Sequence, residues 1–290
     1  MTSLLHPASS AGTFELFLLL VSGGAGVIGA ILGLGGGVII VPILTLGLGI
    51  NIRYAIGASI VSVIATSSGA AATYVKDHVT NIRVAMLLEV ATSVGALVGA
   101  LLSTHLPEQF LYVIFSGILL YSAWIMMKKR HDAIAPLSDA DYWSRRFRLS
   151  SSYPDRALGR EVSYAVTHVP LGFSLMLGAG VISGLLGIGS GGLKVPAMDS
   201  AMKLPIKVSS ATSNFMIGVT AAASAGAYYM RGDILPLLAA PVALGVLAGS
   251  WLGTHIMMRL HSQKIRAMFI FFLLIIAIQM GLRAFGVQVR

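Results

Sequence analysis

Four stretches in the first half of the chain, 14–32, 54–75, 84–106 and 110–127, are apolar over about the 20 residues that a helix needs to cross a bilayer core. Four more, 171–186, 208–230, 234–258 and 267–282, repeat the pattern in the second half. Strands of a membrane barrel would be about ten residues long and would alternate polar with apolar, and these stretches do neither. The expected fold class is therefore an all-α polytopic membrane protein. Only 11% of the residues are charged and the mean hydropathy is +0.84, far from the balance of a water-soluble domain. The net charge of +9 is spread between apolar segments with no stripe of interleaved aromatics, so it reads as positive-inside topology and not as a nucleic-acid surface. No Lys or Arg precedes the first apolar run, which is expected to be a membrane helix and not a signal peptide. The absence of cysteine excludes disulfides and thiolate chemistry.

Each half also holds a shorter segment behind a cluster of glycines. Gly33-Leu34-Gly35-Gly36-Gly37 leads into 38–48, which contains Pro42, and Gly187-Ile188-Gly189-Ser190-Gly191-Gly192 leads into 193–202, which contains Pro196. The 11 residues of 38–48 rise only about 17 Å against a core of about 30 Å, which predicts a half-helix or re-entrant segment. The total is then about 8–10 membrane segments.

The two clusters are part of a longer register. At a constant offset of 154, Gly26, Gly33, Gly35, Gly37 and Pro42 fall on Gly180, Gly187, Gly189, Gly191 and Pro196. Ser59 likewise falls on Ser213, Tyr74 on Tyr228, and Gly95 and Gly99 on Gly249 and Gly253. Two homologous membrane repeats, 14–127 and 171–285, are expected, joined by a polar linker, 128–170. The linker carries Arg145, Arg146, Arg148, Arg156 and Arg160 and is expected to be cytoplasmic. Trp143, Tyr142 and Phe147 suggest a turn or helix at the interface, and 161–167 a short extended piece. Loop charges alternate out of phase between the repeats: the gap after 54–75 is basic, with Lys76 and Arg83, while in its counterpart Arg231 is offset by Asp233. That pattern favours inverted over parallel repeats.

A helix broken inside a bilayer frees backbone groups that must face protein or a water-filled cavity, so two matched breaks predict a site near mid-depth. Gly35, Gly36 and Gly37, with Gly189, Ser190, Gly191 and Gly192, would let backbone amides and half-helix N-termini approach a small anion. The alternative role for these glycines is close helix packing, which Gly95, Gly99, Gly249 and Gly253 are expected to serve. Those small residues in the fourth segments would support a homodimer or pack the two repeats together.

Ser213 and Asn214, in the dense polar patch that opens 208–230, and Ser59, its looser equivalent, are further candidates for substrate contact. Ser and Thr also bond their own helix carbonyls, which is the structural reading of each. Lys194 either attracts the anion or snorkels to the interface. Asp199 stands four residues before Lys203, which predicts an ion pair between them, and Glu89 either pairs with Arg83 or relays protons. No metal-ligand spacing is present and no cofactor is expected. The chain lacks the clustered acids, bases and nucleophiles of an enzyme.

The doubled glycine motif with its following Val-Pro, together with Ile182-Ser183-Gly184-Leu185-Leu186-Gly187 and Ala211-Thr212-Ser213-Asn214-Phe215, resembles the sulfite exporter TauE/SafE family of membrane permeases over nearly the whole chain. The resemblance implies a secondary transporter in a bacterial inner membrane. Its cargo would be sulfite, an organosulfonate such as sulfoacetate, or a related small sulfur-containing anion, usually exported. The particular anion does not carry over. Ser190 stands where the first repeat has Gly36, and Ile60 where the second has Asn214, so equal roles for the two halves are not expected.

Overall fold

The computed structural model describes residues 9–103, 106–128, 136–186 and 190–285; Gly187, Ile188 and Gly189 lie outside them. In chain order the elements are α1 (Ser9–Leu32), α2 (Gly37–Pro42), α3 (Ile52–Lys76), α4 (Ile82–Leu102), α5 (Glu108–Lys128), α6 (Tyr142–Arg146), β1 (Ser151–Asp155), β2 (Arg160–Tyr164), α7 (Val169–Leu186), α8 (Gly191–Pro196), α9 (Ile206–Met230), α10 (Pro236–Arg259) and α11 (Ser262–Ala284). Seven of the helices, α1, α3, α4, α5, α7, α10 and α11, are long and apolar enough to cross a membrane. This is a polytopic membrane protein whose only sheet among the described residues is the two-stranded hairpin β1–β2.

The eighth long helix, α9, has 25 residues and carries the Ser, Thr and Asn patch. It packs against α3 and α4, and fifteen of its positions, including Ser209, Ser210, Thr212, Ser213 and Asn214, are buried. A helix this polar is tolerated because its hydroxyls and amide meet protein and not lipid. The apolar side chains left outside, such as Leu16, Leu20, Val90, Leu101, Leu237 and Trp251, are those a bilayer would cover.

The two short segments begin as α2 and α8 and widen directly after Pro42 and Pro196 into π-helical turns, Ile43–Gly47 and Ala197–Ala201. Proline has no N–H to close an α-helical bond, so the turn that follows it relaxes to the wider register.

Long helices pair by direct backbone contact. Gly26 lies on Val246, Gly249 on Gly23 and Gly253 on Val27, which sets α1 along α10 in the same direction. Gly180 lies on Thr92, Gly95 on Leu177 and Gly99 on Val181, which does the same for α7 and α4. Adding 154 to the first-half number of each contact and subtracting 154 from the second-half number turns the first set into the second. The small residues of α4 and α10 are thus used within the chain, so a homodimer would need another face.

Polar contacts fix which end of each helix is which. Asp77, just after α3, binds Arg156 of the linker at 3.0 Å, and Lys207, in the first turn of α9, binds Asp155 of the linker. At the opposite end Arg53 of α3 donates to Leu106 O, and Arg231 at the end of α9 donates to Ala100 O. Corresponding helices α3 and α9 therefore run in opposite directions.

The described part of the linker covers 136–168. Trp143 and Phe147 stack in and after α6, and β1 pairs antiparallel with β2 so that Tyr153 and Tyr164 are buried against the helix ends. The extended piece expected at 161–167 is β2, which stops at Tyr164.

A side chain added at Gly99 would overlap the Val181 carbonyl, whereas one at Gly117 of α5 meets open space. Gly99→Leu should force α4 and α7 apart and cost about 1–3 kcal/mol or more. The check is thermal unfolding in detergent, in which Gly99→Leu melts well below the parent while Gly117→Ala does not.

Candidate functional site

Gly33 and Gly35 end α1 with φ of +71° and +68°, conformations that a residue with a Cβ rarely adopts. The chain reverses there and α2 begins beside the middle of α3: the Gly36 N–H donates to Thr66 Oγ1 at 3.1 Å. Gly35 rests on Ile217 and Val63, and Gly36 on Val246 and Thr66. The second break meets the first backbone to backbone, with Gly191 against the Gly33 carbonyl and Leu34. The breaks are not copies, because the left-handed residue before α8 is Ser190 itself, with φ +55°, while Gly36 is right-handed.

The last carbonyls of α1 have no helical partner, and α9 supplies one from across the bundle. Ser210 Oγ donates to Leu32 O, Ser213 Oγ to Gly33 O at 2.6 Å, and Asn214 Nδ2 to Ala30 O at 2.7 Å and to Ser210 O at 3.1 Å. Tyr74 adds a bond to Ala30 O, and its counterpart Tyr228 donates to Gly184 O and Leu185 O at the end of α7. Both Asn214 N–H groups are therefore engaged, leaving a buried Oδ1 with no partner among the described residues. In this conformation the amide has no donor to offer an anion. Ser213 and Asn214 come together with the first glycine cluster, on which they act as caps. Ser59 is buried on α3 below Thr66, and its neighbour Ser62 bonds back to Ser59 O. Gly37 opens α2 and Gly192 packs on Leu119, while Gly189 lies outside the described residues.

Lys194 does not snorkel. It is fully buried, with Nζ 3.2 Å from Glu89 Oε2 and 2.6 Å from Thr220 Oγ1. Glu89 in turn accepts from Thr220 at 2.6 Å, Ser93 at 2.9 Å and Thr92 at 3.0 Å. The pairing of Glu89 with Arg83 is corrected: Arg83 reaches away to Arg148 O in the linker, and Glu89 faces the bundle interior two turns further on. The pairing of Asp199 with Lys203 is corrected as well. Asp199, on the π-helical turn, is held by Arg266 of α11 through two bonds of 2.9 and 3.0 Å, a bidentate geometry that Lys203 could not supply.

Thr220, Thr92 and Ser93 are the residues that motif reading passed over, and Glu89 was singled out without its partner Lys194. One signal was present: at the 154 offset, Lys194, Glu89, Thr92 and Ser93 stand opposite Ile40, Ala243, Val246 and Leu247, so all the added polarity falls on the α8 and α4 side and none on the corresponding α2 and α10 side. Beside α8 lies a cleft of about 380 Å³ between α5 and α7, lined in part by Leu193, Pro196, Ser122 and Ser200, whose hydroxyls have no partner among the described residues.

On the linker side Asn81 donates to Leu149 O and to the Tyr164 hydroxyl, while the Thr212 hydroxyl accepts from Asn81 N–H. The Asp155–Lys207 ion pair fastens the hairpin to α9. Burial alone would raise the Asp155 carboxyl, but the bond and charge of Lys207, the Tyr153 hydroxyl and the Ala157 N–H outweigh it and hold the group below its ordinary value.

Helices broken at matched points, touching at mid-depth of a polytopic bundle and accompanied by a buried charge cluster, are the architecture of a membrane transporter and not of an enzyme. The sequence profile described as sulfite exporter TauE/SafE matches residues 18–280, and the chain belongs to that family. It is 28% identical over 259 residues to the "Probable membrane transporter protein YunE" of Bacillus subtilis strain 168, covering 86% of this chain and 91% of the relative. A "Probable membrane transporter protein" of Xylella fastidiosa strain 9a5c is 26% identical, over 90% of this chain and 93% of its own. No solved structure matches the chain.

Asp155→Asn should loosen the hairpin, because removing one partner of a buried pair costs about 3–5 kcal/mol. Trypsin cleavage at Arg156 and Arg160 should accelerate by about tenfold or more, equivalent to ~1.4 kcal/mol. The same contribution depends on pH with a definite sign. A carboxyl held low in the folded state stabilises fully above about pH 4, and the effect fades as pH falls through the lower folded value. Cleavage of the parent by an acid protease should therefore rise only below that range, and the Asp155→Asn profile should be flat.

Proposed function

We propose that the chain is a secondary transporter that moves sulfite, an organosulfonate such as sulfoacetate, or a related small sulfur-containing anion by alternating access. The reading is of an exporter in a bacterial inner membrane, with the arginine-rich linker in the cytoplasm. The observation that carries it is the backbone contact of the two breaks, Gly191 on Gly33 and Leu34, beside the middle of α3 and α9. Two reversals of chain brought to one point concentrate orientable amide and hydroxyl groups where an anion's water shell must be replaced.

The arrangement is read as two inverted repeats. The opposed directions of α3 and α9, the matching glycine contacts of α1 with α10 and α7 with α4, and the Tyr74 and Tyr228 bonds at one offset all support it. In this conformation Ile217, Val63 and Val246 cover Gly35 and Gly36. Substrate contact by Gly35, Gly36, Gly37, Gly191, Gly192 and Ser190 therefore requires α2 and α8 to move relative to α3 and α9. Lys194 supplies the buried positive charge that an anion needs.

Purified protein in vesicles should carry sulfoacetate or sulfite with saturating kinetics. Flux of no small anion would remove the transporter reading, and non-saturating flux at channel rates would replace it with an anion channel. Gly35→Val, which places a branched side chain at φ +68° against Ile217, should lower transport by at least about tenfold, the loss expected when reacting groups are displaced by an ångström or so. Parent-like transport by a folded Gly35→Val protein would leave packing as that glycine's role.

A further inference from the structure

Deepening that reading and resting on it, we infer that Glu89 and Lys194 couple anion movement to a proton: Glu89 is the resident counter-ion of Lys194, and a substrate anion takes its place when Glu89 is protonated.

The cluster lies at mid-depth. Thr220 is in the middle of α9, Glu89 is in the first half of α4, and Lys194 follows the second glycine break by two residues. A buried ammonium without a counter-charge is strongly unfavourable, so Lys194 needs one negative partner at every stage. Here that partner is Glu89, whose two oxygens accept from Lys194, Thr220, Ser93 and Thr92. Lys194 is fully enclosed, whereas the Glu89 side chain keeps 10% exposure, so the acid is the member within reach of a proton.

The charge balance is closed. Glu89 carboxylate takes a proton from water and becomes a neutral acid, Lys194 stays an ammonium, and one anionic oxygen of the substrate replaces Oε2. A monoanion then moves with one proton and no net charge. A dianion such as sulfoacetate moves with one proton and one uncompensated negative charge, so a potential that is negative inside drives it outward.

Little else around the cluster titrates. Arg83 of α4 is bound to Arg148 O, and α7 carries no ionisable side chain. On α9, Lys207 is bound to Asp155 and Tyr228 to Gly184 O, while Tyr229 is exposed at the helix end. On α5, Lys128 sits over the Trp124 ring, Glu108 is the first residue of the helix, and Tyr112 and Tyr121 are its remaining ionisable residues, while Asp199 on the turn after α8 is bound to Arg266. The fold itself does not require the pair. At the 154 offset its positions hold Ile40 and Ala243, with Val246 and Leu247 in place of Thr92 and Ser93, around an otherwise equivalent crossing of α2, α3 and α10.

The test uses the full chain in vesicles containing a pH-sensitive dye, with the potential clamped by potassium and valinomycin, and with sulfoacetate and methanesulfonate as probes. Neither probe binds protons near neutral pH. An outward gradient of either should make the lumen alkaline in step with anion efflux, at one proton per anion. Whatever flux Glu89→Gln retains should carry no protons and lose its dependence on pH. Lys194→Met should lower flux of both probes by roughly tenfold or more. Anion flux by the parent with no change in lumen pH overturns the coupling and leaves the transporter reading standing. So does a parent-like proton-to-anion ratio in Glu89→Gln. Flux of neither probe, with no flux of sulfite or any other small anion, overturns both.

Discussion

A helix that stops inside a bilayer leaves carbonyls that no solvent will satisfy, and the structure is arranged around meeting that demand. The end of α1 is bonded from α9 by Ser210, Ser213 and Asn214 and from α3 by Tyr74. This is why α9, the least apolar of the long helices, sits inside the bundle. Its polarity answers the break in another helix, and the more apolar helices other than α3 take up the positions where lipid is the neighbour. The break, the buried polar helix and the outer ring are one constraint seen at three places.

The same constraint explains what could be read from the chain beforehand. Segment lengths gave the helical membrane fold, and the glycines with their prolines marked both breaks, because these follow from local chemistry: length against bilayer thickness, φ freedom at glycine, the missing N–H at proline. Partners were not legible in that way. Asp199 reads as a match for Lys203 because the two are close in sequence, yet it is bound by Arg266 from a different helix. Asn214 reads as a donor for a ligand, yet both of its N–H groups are taken by carbonyls, one of them 184 positions away. An i,i+4 rule sees one helix surface, and in a bundle the stronger bonds come from the neighbour.

Lys194 shows the difference most sharply. Sequence placed a cation near membrane depth and left two outcomes open. The structure gives it an acid from α4 and a hydroxyl from α9, three elements contributing to one cluster. Comparing the halves at the constant offset would have isolated the cluster, because pseudo-equivalent positions act as an internal control. Tyr74 and Tyr228, kept in both halves, perform the same bond. Where only one half carries charge, the architecture is already accounted for without it.

The glycine contacts of α1 with α10 and of α4 with α7 also bear on how such a chain assembles. α1 finds its tight partner only when α10 emerges, and α4 waits for the segment beyond the linker. Each half lends a helix to the other, so residues 14–127 and 171–285 are not separable folding units. Cutting the chain in the linker would yield two fragments with open small-residue faces, stable only once they have found each other in the membrane.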